Sequence, residues 1–301
     1  TRPRGWIMQV GLIAPQGWKG EYDGWDPAEA WARTVELARH AEATGFESLW
    51  VFDHFHTVPE PTDEITFESF SQLSALAMVT DRVRIGHMVV CTGFRNPALT
   101  AKLASTIDVI SGGRFELGIG AGWKEEEWIA YGYGFPSTGE RLDALGEHLE
   151  VITRMLAPGR ATWDGELVSV QGAINEPRGL QDHIPVIVGG NGRRRTAGLA
   201  VRHADELNFV FLGPDEVAER MAEVRGKCVD TGRDPDSLRF SVYTADEPMQ
   251  VPGRDRIDLI RGYAEIGVDR IVCFPTKSAP TVEAQDRFAE DCRAAGVTLG
   301  T

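Results

Sequence analysis

The chain has 301 residues, 42% of them hydrophobic and 25% charged, and is long enough to bury a sizeable core as one globular domain. Its formal net charge of −14 argues against nucleic acid or an anionic membrane as the principal partner. The four cysteines lack disulfide or zinc-ligand spacing, and no apolar run approaches the ~18 residues of a membrane span, so we expect a cytoplasmic protein without disulfides or a metal site.

Short apolar runs rich in Val, Ile and Phe alternate with longer segments of helical periodicity, which is typical of βαβ units. The N-terminal apolar stretch lacks the core of a signal peptide and is interpreted as the first strand. Eight strands are predicted, at residues 6–13, 47–52, 83–90, 115–120, 184–188, 206–211, 238–244 and 268–274. This pattern favours a single α/β domain over residues 1–301, a (β/α)₈ TIM barrel, with a doubly wound open sheet as the alternative.

Capping residues predict where several helices begin and end. Asp26-Pro27 and Asn96-Pro97 each combine an N-cap residue with proline at the first helical position. Another helix is predicted from Thr138, and Gly45 and Gly267 are placed as C-cap glycines.

Two long polar segments interrupt the regular alternation, at 54–66 and 158–183, and the second contains a predicted β-hairpin around Asp164-Gly165. Barrel active sites are assembled from the loops that follow the strands. We therefore expect both segments to be insertion loops at the C-terminal face and, together with 133–138, to contact substrate or cofactor.

Asp53 and His54 follow the second predicted strand and are the candidate catalytic residues. A histidine exchanges protons near neutral pH, and an adjacent aspartate can orient it. A hydrogen-bonded structural pair is the alternative. His54 and His56 also form the H-x-H pattern of zinc-binding barrels, but the sequence offers no further ligands at later strand ends, so no metal is predicted.

Glycine-rich stretches follow two other strands. Residues 189–192 (GGNG) precede three arginines at the start of a helix, a pattern that favours an anion at the helix N-terminus, although a tight turn with a solvated basic face is the alternative. Gly118, Gly120 and Gly122 alternate along the fourth strand, so either a flat ligand approaches the backbone there or barrel packing demands small residues. Cys91 is interpreted as a small buried residue rather than a nucleophile.

Residues 51–55 (VFDHF), 84–123, 131–152 and 184–208 together resemble the luciferase-like superfamily, in its F420-dependent branch, and the block ending in GIGAGW is the most specific. The resemblance implies an F420-dependent oxidoreductase that transfers a hydride between C5 of coenzyme F420 and a C=C, C=N or C=O bond of a small organic substrate. His54 would be the proton donor or acceptor. The alternatives are an FMN-dependent two-component monooxygenase and a non-catalytic flavin-like binder. A homodimer is also implied.

By position, the resemblance implies that strands two to five converge on one slot for a planar tricycle, with its phosphate against the turn after strand five. Met88-Val89 matches a non-proline cis peptide behind the ring, and Arg193 and Arg194 supplement the phosphate loop. The implied cofactor contacts are Asp53, His54, Met88, Val89, Cys91, Gly122, Trp123, Glu126, Gly189, Gly190, Asn191, Gly192, Arg193 and Arg194. Trp123 stands where sugar-phosphate dehydrogenases of this branch have a glutamate, which indicates a less polar substrate.

Overall fold

The computed structural model describes residues 8–276 and 280–300. Within this part of the chain, the strands are β1 (Gln9–Ile13), β2 (Ser48–Val51), β3 (Arg84–His87), β4 (Val90–Cys91), β5 (Phe115–Gly120), β6 (Ala161–Asp164), β7 (Ser169–Ala173), β8 (Val186–Gly189), β9 (Glu206–Val210), β10 (Arg239–Thr244) and β11 (Arg270–Cys273). All eight predicted strands are present, although residues 6 and 7 of the first lie outside the described residues.

The parallel strands pair in the order β3-β2-β1-β11-β10-β9-β8-β5, and a further pairing of β5 with β3 closes the ring. The predicted (β/α)₈ barrel is therefore confirmed, and the open-sheet alternative is wrong. Among the described strands, β6 and β7 form a separate sheet, the antiparallel hairpin predicted around Asp164-Gly165.

Helices follow the barrel strands and cover the outside of the barrel. They are α1 (Pro27–Thr44), α2 (Ser69–Val79), α3 (Pro97–Ile110), α4 (Glu125–Ala130), α5 (Thr138–Leu156), α6 (Arg195–His203), α7 (Pro214–Asp230), α8 (Glu247–Gln250), α9 (Arg254–Ile266) and α10 (Val282–Ala294). The Asp26 and Asn96 side chains accept hydrogen bonds from backbone N–H groups of the first turn, and Gly45 and Gly267 end their helices with φ of 96° and 84°, as predicted. No described helix is long and apolar enough to cross a membrane.

The third predicted strand is divided where Met88 and Val89 are joined by a cis peptide bond. The Val89 side chain turns into the barrel and lies against the backbone of its neighbours: a Cβ added to Gly120 would stand 2.8 Å from Val89 Cγ2, and one added to Gly189 3.0 Å from Val89 Cγ1. The glycines of β5 therefore make room for a neighbouring strand, which is the packing alternative raised for them.

Charged side chains fill the amino-terminal end of the barrel. Arg270, at the start of β11, donates to Glu116 at 2.8 Å and 3.0 Å and lies 3.2 Å from Glu206, and all three side chains are buried. Burial opposes ionisation of Glu116, but the Arg270 guanidinium prevails and lowers the pKa of that carboxyl to about 2. This layer fills the amino-terminal end of the barrel, so the described residues leave the carboxyl ends of the strands as the side from which a ligand can enter.

Candidate active site

A cavity of about 1030 Å³ opens at the carboxyl ends of the barrel strands. Its walls combine aromatic and aliphatic side chains with a few polar groups, as is typical of small-molecule sites. Most of the predicted cofactor residues line it, namely Asp53, His54, Met88, Val89, Cys91, Gly122, Trp123, Gly189, Gly190 and Gly192. The second to fifth predicted strands (β2, β3 with β4, β5 and β8) thus converge on one cavity, as expected. The contact of each residue with a cofactor stays a prediction.

His54 is held by a buried carboxylate from a different loop. Its Nδ1 lies 2.6 Å from Glu127 Oε2, and Glu127 Oε1 accepts from the backbone N–H groups of Phe55 at 2.8 Å and His56 at 3.3 Å. Burial favours the neutral acid, yet these hydrogen bonds prevail and hold the pKa of Glu127 below its usual value. Because a carboxylate can only accept, Nδ1 carries the shared hydrogen and Nε2 is the nitrogen that can exchange a proton.

Trp18 completes the surroundings of His54. The two rings stack with centroids 4.3 Å apart and planes 8° from parallel, and Trp123 meets the imidazole edge-on at 5.8 Å. The imidazole is therefore fixed in orientation by Glu127 on one nitrogen and by aromatic faces around it.

The prediction that Asp53 orients His54 is wrong. Asp53 binds Arg95 through both oxygens, at 2.6 Å and 2.9 Å, and also accepts from Ser69 Oγ and the backbone N–H of Cys91, each at 2.9 Å. Successive side chains of extended backbone point in opposite directions, so neighbours in sequence face different partners. Asp53 lines the cavity, but its carboxylate is the ion-pair partner of Arg95 and not of His54.

Glu126, predicted as a rim residue, is exposed and pairs with Lys124 at 2.8 Å. Its neighbour Glu127 is the buried one, because α4 turns by about 100° per residue and brings only one of three consecutive glutamates to face the barrel. The sequence contains no signal that would choose among them.

Part of the cavity wall is a glycine cradle in the turn after β8, and α5 lines the cavity as well. Gly190 adopts a φ of 136°, and a Cβ on Gly192 would stand 2.5 Å from Thr196 Oγ1, so only glycines leave this cradle open. Arg141 enters from α5 with 8% of its surface exposed and donates to Thr138 Oγ1 at 3.3 Å. Its Nε is buried without a hydrogen-bond partner among the described residues, so the site contains a cation with an unused donor.

The predicted arginines of the phosphate loop face elsewhere. Arg193 is exposed and binds Glu219, at 2.9 Å, and Glu223 on α7, and Arg194 lines grooves on the outer surface. Asn191 instead joins two strand ends, since its side chain binds the backbone N–H and C=O of Val210 at 2.9 Å and 2.8 Å. Arg141 escaped prediction, although its spacing from Leu145 and Leu149 places it on the buried face of α5.

The two insertion loops differ in what they contribute. His54, Val58 and Pro59 from the first line the cavity, and Thr138 lies there as predicted. The hairpin of the 158–183 segment does not line the cavity but packs against the outside of α5, where Glu147 accepts the backbone N–H groups of residues 166–168 at 2.9 Å. The expectation that this segment contacts substrate or cofactor is wrong, because the hairpin is bound to the outside of α5 and none of its residues lines the cavity.

The structure also shows where Cys91 and the histidines of the H-x-H pattern lie. Cys91 is buried, and burial raises the pKa of its thiol to about 12, so it remains a thiol at neutral pH. His56 lies beside the same carboxylate as His54, with Nε2 4.0 Å from Glu127 Oε1. Among the residues that the structure describes, no group of three or more His, Cys, Asp or Glu side chains is arranged to hold a metal ion.

Comparison with known protein families gives a match over most of the chain. The family model for luciferase-like monooxygenases matches residues 8–245. The chain belongs to the luciferase-like monooxygenase family. Among sequence relatives, the uncharacterized protein Rv0953c of Mycobacterium tuberculosis is 30% identical over 82% of this chain and 89% of the relative, and the pyrimidine monooxygenase RutA of Stutzerimonas stutzeri is 30% identical over 80% and 69%.

Solved structures of similar fold align with nearly the whole chain. An F420-dependent secondary alcohol dehydrogenase in complex with an F420-acetone adduct aligns with a TM-score of 0.80 and 21% identity, covering 96% of this chain and 99% of the other. Riboflavin lyase with modified FMN aligns with a TM-score of 0.79 and 13% identity, covering 98% and 93%. These likenesses support the barrel assignment.

Proposed function

We propose that this luciferase-like enzyme is an F420-dependent oxidoreductase acting on small organic molecules. The observation that carries the proposal is the His54–Glu127 pair, which lies in the same cavity as a glycine cradle with an unused Arg141 donor. One end of the cavity thus offers proton exchange and the other offers an anion site, which are the two demands of a phosphorylated hydride-transfer cofactor.

The residues present fit such a group. Val89 and the glycines around it form a smooth wall. Arg141, Gly192 and Thr196 would hold a phosphate through a guanidinium, a backbone N–H and a hydroxyl. Gly190 would only leave space there, because its N–H already donates to the Asn208 carbonyl at 2.9 Å. When bound, the deazaflavin would supply a hydride from C5 to an electrophilic C=C, C=N or C=O bond.

The protein's own part in the reaction centres on a proton. His54 Nε2 would donate it to the substrate atom that gains charge, while Glu127 keeps Nδ1 protonated and stabilises the ring in either charge state. The rings of Trp18 and Trp123 would hold the imidazole in place.

His54→Asn tests this role against a matched control, His56→Asn, two residues along the chain and facing the same carboxylate without lining the cavity. We expect His54→Asn to lower kcat by roughly 10²–10⁴-fold with the Kd for F420 nearly unchanged, because general acid–base catalysis contributes on that order. His56→Asn should retain most of the turnover. Equal, small effects of the two changes on F420H₂ oxidation would refute the assignment.

A second candidate is a two-component FMN monooxygenase, favoured by the similarity to the pyrimidine monooxygenase RutA. The glycine cradle and Arg141 would accept the FMN phosphate equally well. Titration of the purified protein with F420 and with FMN, followed by quenching of cofactor fluorescence, separates the two. Micromolar binding of F420 supports the first proposal, and binding of FMN alone would replace it with the second.

A further inference from the structure

Tyr243, on β10, carries a buried hydroxyl that has no hydrogen-bond partner among the residues the structure describes. The residue is 5% exposed and lines the cavity. An unpaired buried hydroxyl destabilises the folded protein, and such groups are rare in native proteins. A polar atom delivered by a ligand would remove that cost.

The surroundings of this hydroxyl are apolar and aromatic. The Tyr243 ring meets Phe52 edge-on at 5.4 Å and Phe211 at 5.2 Å, and Phe52 packs in turn on Trp18 at 4.4 Å. Trp18 is the ring that stacks on His54. One continuous aromatic wall therefore runs from the proton-exchanging imidazole to the unpaired hydroxyl.

Phe211 has a backbone that aromatic residues rarely adopt. Its φ is 55°, in the left-handed region, while 47% of its surface is exposed and its ring lines the cavity. The conformation is held by a 3.0 Å hydrogen bond from Phe211 N–H to the Tyr243 carbonyl and by the Asn191 amide on neighbouring Val210. Strain kept by such supports is typical of functional sites.

We infer that Tyr243 selects and orients the substrate, donating its hydroxyl hydrogen to a carbonyl oxygen of an aromatic or conjugated ring compound that packs on Phe211. This rests on the proposed function and narrows its substrate class from any unsaturated molecule to a ring-bearing carbonyl compound. Burial raises the pKa of the phenol, so the hydroxyl stays protonated and is a donor at neutral pH. Donation to the oxygen also makes the attached carbon more electrophilic.

Tyr243→Phe removes the hydroxyl and keeps the ring, and two probes differ only in the carbonyl: 1-tetralone and tetralin. We expect the variant to bind 1-tetralone about tenfold more weakly, as for loss of one hydrogen bond, and tetralin with unchanged affinity. Binding is followed by calorimetry on the purified protein. It needs no turnover, so it is read independently of whether F420 or FMN is the cofactor.

A second readout separates a ligand-binding hydroxyl from a structural one. Because its OH is unpaired, Tyr243→Phe should raise the Tm of the free protein, whereas Tyr22→Phe should lower it, since the Tyr22 hydroxyl lies 2.7 Å from Thr34 Oγ1. A lowered Tm for Tyr243→Phe, equal losses for both probes, or no binding of 1-tetralone to the unmodified protein would overturn the inference. So would a loss of F420 or FMN affinity in Tyr243→Phe, which would assign the hydroxyl to the cofactor.

Discussion

His54 and Glu127 are 73 residues apart in the chain, yet His54 Nδ1 lies 2.6 Å from Glu127 Oε2. This hydrogen bond joins the loop after β2 to α4. The partners of each acid decide which one takes part: both are buried, but the Asp53 carboxylate is already bound to the Arg95 guanidinium. His54 is therefore paired with an acid that lies against two histidines and not against an arginine, and that acid can stabilise an imidazolium when one forms.

In the part of the cavity proposed to hold a phosphate, burial and partners separate Arg141 from Arg193. We predict that Arg141→Gln weakens cofactor binding by roughly 10–100-fold, because a buried charge-assisted hydrogen bond is lost. Arg193→Gln should change the Kd by less than about twofold, since Arg193 is exposed and bound to glutamates of α7. Titration with the bound cofactor, whichever it proves to be, measures both, and the reverse ranking would return the phosphate contact to the loop arginines.

At the scale of elements, the strand β5 and the Val89 bulge fit each other. The β5 glycines leave space on the inner surface of the barrel, and the Val89 side chain occupies it. Removing side chains from one strand thus allows its neighbour to bend inward and form a wall of the cavity.

Gly120→Ala should therefore destabilise the protein by about 1–3 kcal/mol, because the new Cβ would stand 2.8 Å from Val89 Cγ2. Adding Val89→Ala should recover part of that loss, since it removes the clashing methyl groups. Gly226→Ala in α7, with nothing within 4 Å of an added Cβ, is the control and should stabilise by up to about 1 kcal/mol. Urea unfolding measures all of these, and strict additivity of the two barrel changes would contradict the packing account.

For the whole molecule, the barrel has one charged end and one open end. Arg270 is enclosed by Glu116, Glu206 and Glu47, and these contacts tie β11 to β5, β9 and the segment before β2. Such a layer joins strands from the beginning, middle and end of the chain, so it closes the ring while the opposite end stays free for ligands.

Arg270→Met should lower the free energy of unfolding by about 3–5 kcal/mol, because Glu116 and Glu206 lose the fully buried guanidinium between them and keep only the partly exposed Arg84 and Arg239. Arg254→Met is the matched control: that side chain is 91% exposed and 3.5 Å from Asp258, so the loss should stay below about 1 kcal/mol. Equal midpoints in urea for the two variants would show that the buried layer does not hold the barrel closed.

The sequence by itself determined the eight strands, the helix caps, the hairpin and the loops that meet at one cavity, because these features follow from local periodicity and from residues that satisfy nearby backbone groups. Only the tertiary structure decided that Glu127 rather than Asp53 binds His54, that Arg141 rather than Arg193 lines the cavity, and that the hairpin packs on the outside of α5. These choices depend on which side chains burial brings together across distant segments, and burial is a property of the closed barrel as a whole.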